Sequence, residues 1–265
     1  MNHHFREAYL DLRGSLVHAG LISMLGWQDI RLRYRRSTLG PFWITISVGV
    51  MIAMLGFVFG SICRSPVNEF LPFLGIGMIL WTFISQTAIE SCQGFTAAEG
   101  MVKQLNLPMS LHILRIVWKN VVFLAHNVII LPLLYLVLQI PLHWCMLLSI
   151  PGFFLLLLNE IWLCILAGVV CTRYRDLYQI VINLFQIAFY VTPIIWTPAV
   201  LPARAKVMLL DANPFYHLLE IVRAPLLGQI PTLLNYGVAA GIAACGWLAA
   251  LYILGRSRKR IAYWL

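Results

Sequence analysis

The chain has 265 residues, of which 61% are hydrophobic and only 11% are charged. Soluble domains carry about 25% charged residues, so the composition excludes an ordinary water-soluble domain and indicates an integral membrane protein. The net charge of +9 suits anionic lipid headgroups and not nucleic acid, because the basic residues flank apolar stretches.

The first thirty residues precede any apolar stretch of membrane-spanning length. Leu10, Val17 and Leu21 recur there at near-helical spacing among polar residues, a pattern typical of a helix lying in the membrane interface. A simple cytosolic tail is the alternative. We predict an N-terminal cytoplasmic interfacial helix over residues 1–30 and a single transmembrane domain over residues 31–265.

Six stretches are apolar and long enough to cross a membrane, since a transmembrane helix needs about 20 mostly apolar residues. They cover roughly residues 42–60, 70–90, 116–138, 144–170, 177–196 and 232–254. With the N-terminus in the cytoplasm, 15 of the 19 lysines and arginines fall in cytoplasmic segments. The positive-inside rule therefore predicts that both termini are cytoplasmic.

Four arginines stand directly before the first span, which begins near Pro41: Arg31, Arg33, Arg35 and Arg36. Proline fits a first helical turn, where its missing N–H would be unpaired anyway. The simplest interpretation of the arginines is anchoring by the positive-inside rule.

Polar side chains repeat at helical spacing inside spans two and five. The two stripes are Thr82, Gln86 and Glu90, and Gln179, Asn183 and Gln186; the aromatic residues Phe185, Phe189, Tyr190 and Trp196 accompany the second. Polar groups inside a membrane are expensive and call for an explanation. Amides beside rings suit sugars, but hydrogen bonding between helices is an equally good explanation.

Two segments between spans have helical patterns of their own. The cytoplasmic segment 91–115 contains a short predicted helix over Ala97–Leu105. The outer segment 197–231 is too apolar for a solvated loop, and Asn213-Pro214 is a helix start, with asparagine as the cap and proline at the first position. We predict two short helices in 197–231 that dip into the outer leaflet.

No catalytic motif occurs: the chain lacks GxxxxGK[ST], HExxH and GxSxG. We therefore predict no catalytic residue, no metal site and no enzymatic activity in this chain. A proton-coupled secondary transporter that uses Glu160, Glu90 and His126 is an alternative. A membrane enzyme acting on lipid-linked sugars would need clustered acids, and none cluster.

Four segments together resemble one family. They read WQDIRLRYRRSTLGPFWITI before span one, NLPMSLHILRIVWKN entering span three, RYRDLYQIVINLFQIAFYVTPIIW through span five and NPFYHLLEIVRAPLLG before span six. Each is similar to the permease (transmembrane) subunits of type-2 ABC exporters, in the polysaccharide branch that exports O-antigen, capsule and teichoic-acid polymers.

The resemblance implies an all-α membrane protein of six spans, with an interfacial helix before span one and two re-entrant helices between spans five and six. It implies a homodimer in the bacterial inner membrane, coupled to two copies of a cytoplasmic ABC ATPase. That partner would bind ATP and Mg, so no cofactor is expected in this chain. The cargo would be an undecaprenyl-pyrophosphate-linked polysaccharide such as O-antigen.

The resemblance also suggests roles for the residues. The ATPase would couple to a short helix of nine residues: Ala97, Ala98, Glu99, Gly100, Met101, Val102, Lys103, Gln104 and Leu105. The four arginines before span one would contact the lipid pyrophosphate, which arginine forks suit. The two polar stripes with their aromatic residues would line the polysaccharide path. An outer re-entrant gate would comprise Asn213, Pro214, Phe215 and Tyr216.

Overall fold

The computed structural model describes residues 3–40, 42–63, 66–200 and 202–265. These residues form helices and no strand. The α-helices are α1 (His3–Val17), α2 (Ala19–Arg33), α3 (Phe42–Cys63), α4 (Val67–Cys92), α5 (Glu99–Gln104), α6 (Met109–Val128), α7 (Ile130–Leu138), α8 (Ser149–Arg173), α9 (Leu177–Val191), α10 (Ala203–Lys206), α11 (Pro214–Leu226) and α12 (Leu233–Trp264). Pro41, expected in the first turn of span one, lies outside the described residues.

Five helical stretches of the described chain are long and apolar enough to cross a membrane: Phe42–Gly60, Val67–Cys92, Met109–Leu138, Trp144–Arg173 and Leu233–Trp264. The predicted class, an all-α integral membrane protein, is therefore confirmed. These stretches correspond to predicted spans one to four and six, and most of them extend beyond the predicted bounds.

Span five differs from its predicted bounds of 177–196, because α9 ends at Val191. Thr192 has extended backbone angles (φ −81°, ψ 136°), as is favoured for a residue that precedes a proline, here Pro193. The 15-residue helix is about 22 Å long at 1.5 Å per residue, which is shorter than a bilayer core of about 30 Å. Trp196 consequently lies beyond the helix.

Span three is interrupted at Ile129, between α6 and α7. Pro132 lies three residues further on and has no N–H to donate to the carbonyl of Val128, so the regular hydrogen-bond ladder is interrupted there. Helix α7 packs on α4, and the Tyr135 hydroxyl donates to the Leu226 carbonyl at 2.7 Å.

The N-terminal region forms two helices where the sequence predicts one. The break lies at His18 (φ −93°, ψ 28°), whose ring Nδ1 is 2.7 Å from the Gly14 carbonyl and so competes for a backbone acceptor. Helix α1 packs on α6 and α12, while α2 packs on α6. Because α2 continues to Arg33, the predicted boundary at residue 30 falls inside a helix.

Helix α4 is the centre of the fold. Within its most apolar stretch 67% of residues are buried, against 17% in α3 and 28% in α12. It contacts α3, α6, α8, α9 and α11. The described residues leave the outer faces of α3, α9 and α12 uncovered, so these faces are open to lipid, water or another protein.

Candidate functional site

The arginines before span one separate into two groups. Arg33, in the last turn of α2, places Nη1 3.3 Å from Oε1 of Glu90. Arg31, on the same turn, and Arg35 and Arg36, in the turn that follows, are exposed. These three make no ion pair with any residue in the described ranges. They are therefore available to an external anion, whereas Arg33 is engaged.

Glu90 joins three helices. Its Oε2 accepts from Lys119 Nζ at 2.8 Å and from Asn120 Nδ2 at 2.8 Å, in addition to the contact of Oε1 with Arg33. The carboxylate thus holds α2 and α6 against α4. Glu90 is thus the member of the first polar stripe that holds helices together. The sequence offered no sign of this role, because Lys119 lies far along the chain on another helix.

The other two members of this stripe line a pocket of about 360 Å³. Thr82 and Gln86 share it with Tyr34, Trp43 and Ser47, so the pocket lies where α2, α3 and α4 meet. Burial raises the pKa of the Tyr34 phenol, and the neutral phenol can donate a hydrogen bond. Hydroxyl, amide and ring groups together are the set that sugar hydroxyls and C–H faces require.

The second stripe forms one exposed face of α9. Gln179, Asn183 and Gln186 are exposed along it with Tyr190, and Gln179 Nε2 donates to Asn183 Oδ1 at 3.4 Å. Trp196, beyond the helix end, donates from Nε1 to the Tyr190 carbonyl at 3.0 Å. Amides facing hydrocarbon would be costly, so this face requires water or a second protein surface.

The two phenylalanines predicted beside this stripe face the interior of the subunit. Phe185 and Phe189 each lie 6.0 Å from Trp81, centroid to centroid. Phe215 completes the cluster at 5.4 Å from Trp81 and 5.5 Å from Phe185. The cluster connects α4, α9 and α11. Sequence reasoning missed Trp81, although its position immediately before Thr82 was the available signal.

Asn213 caps α11 as predicted. Its Oδ1 accepts from the backbone N–H of Phe215 at 3.0 Å and of Tyr216 at 3.3 Å, with Pro214 at the first helical position. Its Nδ2 donates to the Thr192 hydroxyl at 2.9 Å. The four predicted gate residues therefore lie together at the start of α11, joined to the end of α9.

Arg223, in the last turn of α11, is fully buried. Its Nη2 is 2.7 Å from Oε2 of Glu220, its Nη1 donates to the Pro193 carbonyl at 2.6 Å, and its guanidinium carbon lies 4.0 Å from the centroid of Phe73. The arginine thereby fixes α11 to α4 and to the bend after α9. The only sequence signal was the Glu220–Arg223 spacing of i, i+3.

The predicted coupling segment forms a short 3-10 turn, Thr96–Ala98, followed by α5, and α5 ends one residue before Leu105. Ala98 and Val102 are buried and attach it. Lys103 Nζ lies 2.6 Å from Glu99 Oε1, and this hydrogen bond lowers the pKa of the Glu99 carboxyl. The remaining side is exposed and comprises Ala97, Gly100, Lys103, Gln104 and Leu105.

The chain is similar to transport proteins over most of its length. The profile of the family described as ABC-2 type transporter matches residues 20–227. A protein from Myxococcus xanthus described as O-antigen export system permease protein RfbA is 24% identical over 213 residues, covering 78% of this chain and 80% of the relative. Two proteins from Klebsiella pneumoniae with the same description are 22% identical over 190 residues and 24% over 191, each covering 69% of this chain and 71% of the relative.

Proposed function

The chain belongs to the ABC-2 type transporter family and is a multi-pass membrane protein, and we propose that it is the permease subunit of an ATP-driven polysaccharide exporter. The cargo is an undecaprenyl-pyrophosphate-linked, O-antigen-like polymer that crosses the bacterial inner membrane. The descriptions of the three relatives support this cargo class. The five long spans together with the shorter α9 make six crossings, with both termini in the cytoplasm.

The observation that carries the proposal is the exposed amide face of α9. Gln179, Asn183 and Gln186 belong to an apolar helix, yet they have no covering element in the described part of this chain. A second copy brought against this face would shield the amides from lipid and enclose a polar path between the two subunits. We therefore propose a homodimer whose path uses the α9 stripe together with Thr82 and Gln86.

The ATPase docks on the exposed side of α5. The buried residues Ala98 and Val102 attach the coupling segment to the membrane domain. A displacement of the ATPase is therefore transmitted to α4 and α6, the helices that precede and follow this segment in the chain. ATP and Mg are bound by that partner, consistent with the missing P-loop. Two ATPase subunits serve the two permeases.

The lipid pyrophosphate contacts Arg31, Arg35 and Arg36. Unpaired guanidinium groups at this level can form charge-assisted hydrogen bonds with phosphate oxygens. Arg33, which was grouped with them in the sequence, instead holds α2 to Glu90 and acts as a positioning residue. At the opposite end, the start of α11 is the outer re-entrant gate, and Asn213 determines its angle to α9.

A proton-coupled transporter is a weaker explanation. Glu90 is paired with Lys119, His126 bonds the Val122 carbonyl of its own helix at 2.8 Å, and Glu160 receives a 3.5 Å contact from Cys164. Each candidate proton carrier thus has a local structural partner. Transport that survives Glu160→Gln and an ionophore would eliminate this alternative.

The test measures ATP hydrolysis by the partner ATPase, co-reconstituted with this chain in liposomes, with and without lipid-linked polysaccharide. The variant Gln179→Leu/Asn183→Leu/Gln186→Leu should lose polymer stimulation while still assembling. A matched variant on the same helix, Ile180→Leu/Leu184→Ile/Ile187→Leu, should keep it. Full stimulation in the first variant, with both complexes intact, would contradict the proposed path.

A further inference from the structure

A pocket of about 360 Å³ lies between the ends of α8 and α12, remote from the arginines before span one. Arg173, the last residue of α8, lines it together with Arg256 and Arg260, which are one turn apart on α12. These three residues and their cavity are called the arginine pocket below.

The positive charge of the arginine pocket is not neutralised by the described part of the chain. Arg256 Nη1 donates only to the Tyr252 hydroxyl, at 3.2 Å. Two acids near this end of α12 pair with the neighbouring Arg258 instead: its Nη1 lies 3.2 Å from Oε2 of Glu7 and its Nε lies 3.0 Å from Oδ2 of Asp11. Like charges at i, i+4 on a helix repel. A bound anion would relieve this repulsion.

Two further groups of the pocket favour anion binding: the guanidinium of Arg173 is restrained and the hydroxyl of Ser257 is available to donate. The guanidinium carbon of Arg173 lies 5.2 Å from the ring centroids of both Tyr174 and Trp264, so cation–π contacts restrain it. Ser257 also lines the pocket, is only 9% exposed, and its hydroxyl makes no hydrogen bond to a described residue. An unpartnered hydroxyl that lines the pocket beside three cations can donate to an anionic oxygen.

The position of the pocket and its inner wall point to a lipid. Leu254 ends the uncharged apolar stretch of α12, two residues before Arg256, and the apolar wall of the pocket is formed by the partly exposed Val170 and Ile253. The three arginines thus lie where the apolar stretch of α12 ends, next to apolar side chains. An acidic protein surface would satisfy the cations but not that apolar wall, whereas a phospholipid satisfies both.

We propose that the arginine pocket binds the phosphate of an anionic phospholipid of the inner leaflet, with an acyl chain along Val170 and Ile253. The lipid is a resident of the site and not the exported cargo. The proposal rests on the cytoplasmic orientation proposed above. It does not depend on transport or on the ATPase, so its failure and the failure of the exporter proposal are separately visible.

Native mass spectrometry of the purified full chain tests this, with dioleoyl phosphatidylglycerol or dioleoyl phosphatidylcholine added to the micelles. We expect the parent chain to retain phosphatidylglycerol in preference to phosphatidylcholine. The affinity for phosphatidylglycerol should fall by about tenfold in Arg256→Gln/Arg260→Gln, since each interfacial cation contributes to anionic-lipid binding. The control Arg175→Gln/Lys259→Gln removes the same charge from exposed residues that do not line the pocket and should retain the lipid.

If the double variant fails to fold, Arg173→Gln on α8 provides the same test, and it too should bind phosphatidylglycerol more weakly than the parent chain. Equal loss of lipid in the control variant would overturn the proposal, because bulk charge would then suffice. Displacement of phosphatidylglycerol by millimolar inorganic phosphate would overturn the lipid source in favour of a free anion. Retained lipid with loss of a co-purifying ATPase in Arg256→Gln/Arg260→Gln would mark a protein-docking surface instead.

Discussion

Asp11 and Ser110 form the joint between the N-terminal helix and the membrane domain. Oδ1 of Asp11 accepts from the Ser110 backbone N–H at 2.8 Å and from its hydroxyl at 2.6 Å. Helix α6 has Pro108 at its N-cap position and no side-chain cap of its own, so an acid 99 positions earlier in the chain supplies one. Because Arg258 also binds Asp11, one carboxylate unites α1, α6 and α12.

Replacing this acid tests the joint. Asp11→Ala leaves the first N–H groups of α6 without a buried acceptor and removes one of the two acidic partners of Arg258. We expect the free energy of unfolding to fall by about 1–3 kcal/mol, the cost of an unsatisfied buried group, measured by thermal unfolding in detergent. Glu7→Gln, which removes the more exposed partner of the same arginine, should cost less than about 1 kcal/mol. Equal effects of the two changes would mean that the cap is unimportant.

The buried Arg223 offers a second test of stability. Arg223→Met leaves the Glu220 carboxylate and the Pro193 carbonyl without their donor. Breaking a buried ion pair from one side costs about 3–5 kcal/mol, and we expect a loss of that size in the same unfolding assay. Arg204→Met, at an exposed position on α10, should change stability by less than about 0.5 kcal/mol. An Arg223→Met variant as stable as the parent chain would show that the guanidinium network is dispensable.

The unpaired arginines make a prediction about substrate. Arg35→Gln/Arg36→Gln should reduce the stimulation of the partner ATPase by lipid-linked polysaccharide by at least about tenfold, because each charge-assisted contact contributes about 1.5–3 kcal/mol and about 1.4 kcal/mol corresponds to a factor of ten. Basal hydrolysis and membrane insertion should not change. The control Arg6→Gln/Arg13→Gln removes two exposed cations from α1 and should leave stimulation intact. If both variants behave like the parent, the arginines before span one serve only as anchors.

Gly100 permits a test of the coupling surface that leaves the fold undisturbed. A Cβ at this position would meet no atom within 4 Å, so Gly100→Leu should insert and fold normally. Its side chain would project from the surface on which the ATPase is proposed to sit. We expect the complex with the ATPase to be lost in co-purification. Gly20→Leu, which is equally unobstructed on α2, should leave the complex intact; an intact complex in both variants would place the ATPase elsewhere.

The polar stripes illustrate how far sequence periodicity reaches. The spacing predicted that Gln179, Asn183 and Gln186 share one face of a helix, and they do. The same spacing grouped Glu90 with Thr82 and Gln86, but the Glu90 carboxylate forms ion pairs with Lys119 and Arg33. Periodicity identifies a face because it is a local property of the helix. Which partner meets that face depends on residues far away in the chain.

The sequence by itself determined the membrane class, the apolar stretches, the start of α11 at Asn213 and the family resemblance, since these follow from composition and from neighbours a few residues apart. Only the tertiary structure decided that Arg33 is paired while Arg35 has no ion pair with a described residue, that Arg223 is buried, and that Asp11 caps α6. The reason is physical: an ionised side chain is stabilised by whichever counter-charge or backbone dipole the packing brings near it, and packing joins residues that lie many helices apart in the chain.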